Sequence, residues 1–332
     1  MPQHVENTAH RTGIELKQLS AGYRQHAIVH DVCLTIPQGK MTVLAGANGS
    51  GKSTLLSTIA RMLKPLGGSV LLDGKAIHQQ PTKAVSRQLG ILPQSPLVPE
   101  GLTVFELVSR GRFPWQNFLQ QWTDDDAQAV EQALQLTGTT DFAHLPVESL
   151  SGGQRQRCWI AMALAQQTPF ILLDEPTTFL DLRYQVEILE LLHSLTRHHG
   201  RTVVVVLHDL NFAVNYGDML VFLRQGRLEG IVHEGEHCTP ELIKSVFDVD
   251  VQMSVNPLTG KPFSCRFVPG QERKNDGYGH RIRPPSWSIS AGASCLATAA
   301  VYAGGDSSGR RGACRQSADR HSGVISLRCQ KL

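Results

Sequence analysis

The sequence predicts an α/β protein, with a mostly parallel sheet covered on both faces, an antiparallel β layer ahead of it and a helical insertion within it. Three observations carry this. Residues 170–173 (FILL) and 202–207 (TVVVVL) are continuous apolar runs, as expected of parallel strands buried on both faces. Between them Leu182, Val186, Leu189, Leu192 and Leu195 recur at helical spacing, which gives the strand–helix–strand alternation of a doubly wound sheet. Far upstream, residues 14–19 and 32–36 alternate apolar and polar side chains, the pattern of half-buried antiparallel strands.

The remaining elements follow in order. Residues 41–45 (MTVLA) form a short apolar strand ending at Gly46, and from Lys52 the positions Leu55, Leu56, Ile59 and Leu63 line one face of a helix. Residues 68–72 (GSVLL) run as a strand into the Asp73-Gly74 turn, and residues 90–92 open another strand. After Gln94 the texture turns helical. Residues 103–110 read as one helix; Thr123 is an N-cap for a second over 124–137, with three aspartates in its first turn and Gly138 just past its end. A third helix over 154–165 follows a Ser-Gly-Gly turn, so the insertion spans about 95–165. The chain closes with a hairpin, 219–223 and 227–231 joined through Gln225-Gly226, and a last helix opened by Thr239-Pro240 and ending near Phe247.

The 332 residues are 41% hydrophobic, enough for a sizeable core. There is no run of eighteen apolar residues and no apolar segment near the N-terminus, so neither a membrane span nor a signal peptide is expected. Seven cysteines, at 33, 158, 238, 265, 295, 314 and 329, form no C-x-x-C pair; this argues against a zinc site and a disulfide framework. The net charge of +3 is unevenly placed. Residues 269–332 hold 10 Lys and Arg against 4 Asp and Glu, leaving 22 against 25 before them, so the main body is not a polyelectrolyte binder. We expect residues 1–13 to form an N-terminal arm, 14–268 one α/β domain, and 269–332, rich in Gly, Ser, Ala and Arg, a disordered basic tail.

Chemistry centres on residues 46–54, GANGSGKST, which match G-x-x-x-x-G-K-[ST] at every fixed position. Gly46, Gly49 and Gly51 let the backbone curl so that the N–H groups of Asn48, Ser50 and their neighbours through Thr54 point at phosphate oxygens. Lys52 reaches the terminal phosphates, and the Ser53 hydroxyl faces a phosphate-bound Mg²⁺. The core is expected to be a P-loop NTPase with ATP and Mg²⁺ as ligands; the resemblance set out below implies its RecA-like type. Asp174 and Glu175 lie at the C-terminal end of an apolar strand, where an open α/β sheet places ligands. Asp174 suits the metal shell and Glu175 suits activation of the attacking water. His208, directly after residues 203–207, sits at a second strand end within reach of a γ-phosphate. Gln94, after residues 90–92 and Pro93, offers an amide to metal or water. Residues 150–157, LSGGQRQR, place Ser151, Gly152, Gly153 and Gln154 at a further helix N-terminus able to hold phosphate. One triphosphate cannot serve both sites unless a second molecule docks head to tail.

These residues resemble the ATP-binding cassette ATPases over about 14–268. Residues 46–54 resemble their Walker A, Gln94 their Q-loop, LSGGQRQR their signature, ILLDEP their Walker B with Glu175 catalytic, Leu180-Asp181 their D-loop and His208 their switch histidine. Tyr23 lies where the family keeps an aromatic that stacks on adenine. Within the family, GRFPW at 111–115, WIAMALAQ at 159–166 and LDLRYQVEILELL are similar to the ATPases of bacterial iron–siderophore and cobalamin importers, the ferric-citrate uptake type in particular. Ala47 and Phe179 depart from the commoner family residues without touching catalysis. The resemblance implies a homodimer on the cytoplasmic face of the bacterial inner membrane. That dimer would drive permease subunits fed by a periplasmic binding protein, with no nucleic-acid partner. The alternatives are an importer of cobalamin or haem, or an ATPase of the same fold acting on nucleic acid or ribosomes. The aromatics Phe105, Phe113 and Trp115 are expected to form the permease-docking surface, around 97–115.

Overall fold

The computed structural model describes residues 13–94, 100–116, 122–178, 180–255 and 262–267. The expected N-terminal arm, apart from Gly13, and the expected basic tail lie outside these residues, as does Phe179.

Strands β1 (Ile14–Tyr23) and β2 (His26–Ile36) pair antiparallel, and β1 also pairs with β4 (Pro65–Leu72), which carries the two-residue β5 (Lys75–Ala76) on its other edge. The second sheet is built around β3 (Met41–Ala45), β8 (Thr202–Val206), β7 (Phe170–Leu173) and β6 (Leu89–Leu92), which lie side by side and parallel in that order. On the other flank of β3 come β9 (Met219–Arg224), parallel, and then β10 (Arg227–His233), antiparallel through the expected hairpin.

The valine run of β8 shows why a continuous apolar strand is needed here. Val203 and Val205 face one core, with the helical insertion and α6 (Leu182–His199); Val204 and Val206 face another, with α1 (Lys52–Ile59) and the antiparallel sheet. All four are fully buried. Helix α1 is shorter than expected, so Leu63 lies beyond its end and packs at the margin of the second core.

In the insertion, α3 (Val104–Ser109) and α4 (Asp124–Leu136) each begin with a capping box, Thr103 with Glu106 and Thr123 with Asp126. Helix α5 (Gly152–Ala165) starts two residues earlier than the sequence suggests, because Ser151 rather than a later residue is its cap. Arg112 holds the insertion together. It and Asp126 are both buried; its Nε donates to Asp126 Oδ1 at 2.8 Å and its Nη1 to the Ala165 carbonyl at 2.8 Å and Gln167 Oε1 at 3.0 Å. An ion pair so enclosed is tolerable because further acceptors beside Asp126 satisfy the guanidinium.

Trp115 belongs to this same joint, which corrects the expectation that it forms a docking surface. Its Nε1 donates to the Gln166 carbonyl at 2.7 Å, and the Arg87 and Arg112 guanidinium groups lie 5.0 and 5.4 Å from its ring centre. Phe105 and Phe113 are exposed, as that expectation requires.

Besides β5, four elements had no clear signal in the sequence. Helix α2 (Thr82–Ser86) is a single short turn, and α7 (Leu210–Tyr216) follows an Asp209 whose carboxylate accepts from the Asn211 and Phe212 N–H groups. After α8 (Pro240–Phe247), capped by Thr239 as expected, β11 (Val251–Val255) and β12 (Pro262–Phe267) form a two-stranded hairpin.

Candidate nucleotide site

The parallel order β3–β8–β7–β6 sets neighbouring C-terminal ends in one row, with Leu44 opposite Val206, Val205 opposite Leu173, and Leu173 opposite Leu92. The residues that follow these ends are the glycine loop after β3, His208 after β8, Asp174 and Glu175 after β7, and Gln94 after β6. Residues separated by up to 162 positions are thereby neighbours.

The glycine loop could not be built from other residues. Gly46 has φ +150°, and a Cβ there would sit 2.3 Å from the Leu223 carbonyl oxygen. Gly51, at φ +100°, is the N-cap of α1 and supplies no side-chain cap, and the first turn carries no acidic residue. The first N–H groups of α1 are therefore left for an anion to satisfy.

Lys52 is buried, and its amine donates to the carbonyls of Gly46 at 2.8 Å and Ala47 at 2.9 Å. Burial pushes its pKa down, against the opposing pull of the Glu175 and Asp174 carboxylates. The nearby Ser50 hydroxyl is buried without a hydrogen-bond partner. A desolvated cation, an orphaned hydroxyl and an uncapped helix start fit a polyphosphate.

The cavity in front of this loop has a volume of about 450 Å³. Asn48, Gly49, Gly51, Lys52, Ser53 and Thr54 form one wall; Gln94, Glu175 and His208 form the other. Ile28, on β2, adds an apolar patch that no motif in the sequence marked. Behind the wall, the Ser53 hydroxyl donates to Asp174 Oδ1 at 3.1 Å. Glu175 is held on all sides: His208 Nε2 lies 2.6 Å from its Oε1, and its Oε2 accepts from Gln94 Nε2 at 2.7 Å and from the Thr178 hydroxyl at 3.2 Å. Its φ of +51° places a non-glycine residue in the left-handed region, a strain of about 1–3 kcal/mol that the strand end and these bonds maintain. Thr178 was not singled out from sequence; its position three residues after Glu175 is the usable signal.

The other predicted residues stand apart from the cavity. Ser151 and Gly152 are exposed at the start of α5, where Gln154 N donates to Ser151 Oγ at 3.3 Å and Ser151 N to Gln154 Oε1 at 3.0 Å. Gly153 is buried with the Tyr184 ring 3.1 Å from where its Cβ would be. Asp181 is exposed just before α6. Tyr23, at the end of β1, is 53% exposed and does not line the cavity.

Comparison with known proteins identifies the family. The family model described as ABC transporter matches residues 29–178. The achromobactin transport ATP-binding protein CbrD of Dickeya dadantii is 49% identical over 265 residues, 80% of this chain and 98% of that protein. The chain belongs to the ABC transporter ATP-binding proteins. The iron(3+)-hydroxamate import ATP-binding protein FhuC of Bacillus subtilis is 47% identical over 252 residues, 75% of this chain and 93% of its own length. Among solved structures, the dimeric bacterial ABC transporter cassette MJ0796 is 30% identical, with a TM-score of 0.60, covering 66% of this chain and 98% of that one. As a member of the family, the ABC ATPase described here binds ATP and couples its hydrolysis to transport. Among the described residues, no helix is long and apolar enough to cross a membrane.

The electrostatics of the ABC ATPase site predict a trade between function and stability. Burial raises the Asp174 pKa, outweighing the Ser53 hydrogen bond and the attraction of Lys52. A raised carboxylate pKa means that the folded state holds its proton longer than the unfolded chain, so this group opposes folding increasingly as pH rises above the ordinary value of 3.8. Asp174→Asn should therefore leave the nucleotide-free protein melting at least as high as wild type at pH 7.5, with the difference vanishing as the pH falls to 3.8. Thermal melts across that range check this; a variant several degrees less stable at pH 7.5 would show that the carboxylate is a net support.

Proposed function

We propose that this chain is the ATPase subunit of a bacterial importer of an iron(III)–siderophore chelate. It works as a homodimer on the cytoplasmic face of the inner membrane, against permease subunits that receive the chelate from a periplasmic binding protein. The observation that carries the reading is the split of the site. The glycine loop, Gln94, Glu175 and His208 share one cavity, while Ser151 and Gly152 are exposed at a helix start that does not line it. A second copy, placed head to tail, supplies what each half lacks. The siderophore assignment rests on the relatives named above.

The mechanism follows from the side chains. Lys52 exchanges its two loop carbonyls for the β- and γ-phosphates, which return the charge partner that its burial withholds. Ser53, Asp174 and the Gln94 amide oxygen are the hard oxygen ligands that would hold Mg²⁺. Mg²⁺ held by them would supply charge neutralisation at the phosphates. Glu175 accepts the proton of the attacking water once His208 moves from its Oε1 toward the γ-phosphate. The Gln94 amide nitrogen stays on the other carboxylate oxygen, which keeps the base aimed. Tyr23 stacks on the adenine from outside the phosphate cavity, and Asp181 faces the partner cassette. Phe105 and Phe113, on the insertion that follows Gln94, meet the permease.

Uptake measurements test the substrate. A strain lacking this gene should lose accumulation of labelled ferric siderophore and regain it with the wild-type gene but not with Glu175→Gln. Intact ferric-siderophore uptake in the deletion strain, with cobalamin or haem uptake lost instead, would overturn the chelate assignment and leave the ATPase assignment standing.

A further inference from the structure

A second cavity, of about 470 Å³, lies at the opposite edge of the parallel sheet, beside the start of β7 and just before β8. Its apolar lining comes from Ala133 and Leu136 of α4, Leu164 of α5, Ile171 of β7 and Leu195 of α6. Its polar end is Arg201. The Arg201 Nη1 donates to the Thr168 carbonyl at 2.6 Å, and the guanidinium makes no ion pair with any carboxylate among the described residues. Burial alone pulls its pKa below the usual arginine range, with no acidic neighbour to offset it. His199 adds an exposed imidazole at the rim, and the amide of Gln132, also exposed, faces the same space.

A half-buried arginine whose fork has one carbonyl for a partner retains donors for a planar anion. The space beside it is the size of a small-molecule site, with the apolar wall described above, the polar side chains of Gln132, Gln135, Gln167 and Thr168 beside it, and a cation at one end. We propose that this cavity binds a small amphipathic carboxylate, its head paired with Arg201 and its apolar body lying between α4 and α6. The site is separate from the nucleotide cavity, shares no lining residue with it and does not depend on what the transporter carries.

Octanoate is a suitable probe, titrated into the full chain with ADP in excess so that the glycine loop is filled. Octanoate should bind saturably, one per chain, with shifts centred on the Leu136, Ile171 and Leu195 methyl resonances. Arg201→Gln should weaken binding at least about tenfold, the usual scale of one charge-assisted hydrogen bond. The neutral analogue octanamide should bind similarly more weakly than octanoate. Because Arg201 also ties two strands together, a second variant guards against misfolding: Gln132→Glu, on an exposed helix face, places a carboxylate in the same cavity and should abolish octanoate binding while leaving ATP binding unchanged. Absence of saturable binding, equal affinity for octanamide, shifts centred elsewhere, or undiminished affinity in a folded Gln132→Glu protein would each overturn the proposal.

Discussion

Glu175→Gln is expected to bind ATP as wild type does and to hydrolyse it at least a hundredfold more slowly. The substitution keeps the side chain's shape and its place at the end of β7, between His208 and Gln94. What it removes is the proton acceptor, and a positioned general base contributes about 10²–10⁴-fold. The two steps therefore separate. Nucleotide titration should return an affinity close to that of wild type, while turnover of the assembled transporter should fall by two or more decades and ATP-bound dimers accumulate. Wild-type turnover in this variant would mean that another group takes the proton.

Lys52→Ala acts earlier. Its amine is the cation of the glycine loop, buried and bonded to the two carbonyls of Gly46 and Ala47. Charge-assisted bonds to phosphate are worth about 1.5–3 kcal/mol each, so ATP affinity should fall by about ten- to a hundredfold or more. Lys52→Met, which keeps the volume and discards the charge, should lose affinity to the same degree. Direct titration of the nucleotide-free variants decides this, and unchanged affinity in both would remove Lys52 from the phosphate site.

How much of this was legible in the sequence follows from which interactions are local. The glycine loop, the paired carboxylates after FILL and the histidine after TVVVVL were legible because their chemistry and their strands are adjacent in the chain. Parallel order then did the rest, since one row of strand ends gathers all of them. Trp115 was misread because its partners, Arg87 and the Gln166 carbonyl, are 28 and 51 residues away, and no local pattern separates an aromatic at a joint from one at an interface. Helix α7 was missed because seven residues form too short a window for periodicity; Asp209 as its cap was the available signal. The hairpin of β11 and β12 was missed because residues 256–261, rather than a marked two-residue turn, separate the two short strands. The left-handed backbone of Glu175 has no signature in residue type, because the strain is imposed by its surroundings.

The central claim is that each nucleotide is enclosed by the glycine loop of one copy and the Ser151–Gly152 helix start of another. Gly152 is exposed, and a Cβ there would meet nothing within 4 Å, so Gly152→Asp changes the surface offered to a partner without disturbing the fold that carries it. An acidic residue in the first turn even favours its own helix, yet it would repel a phosphate held by the neighbouring copy. Mixing Lys52→Ala with Gly152→Asp subunits, with heterodimers verified directly, creates one site with both intact parts and one site with neither. Each parent homodimer has two damaged sites. The account predicts that the mixture regains single-site ATP turnover well above the sum of the two parents; verified heterodimers with activity no greater than that sum would contradict it.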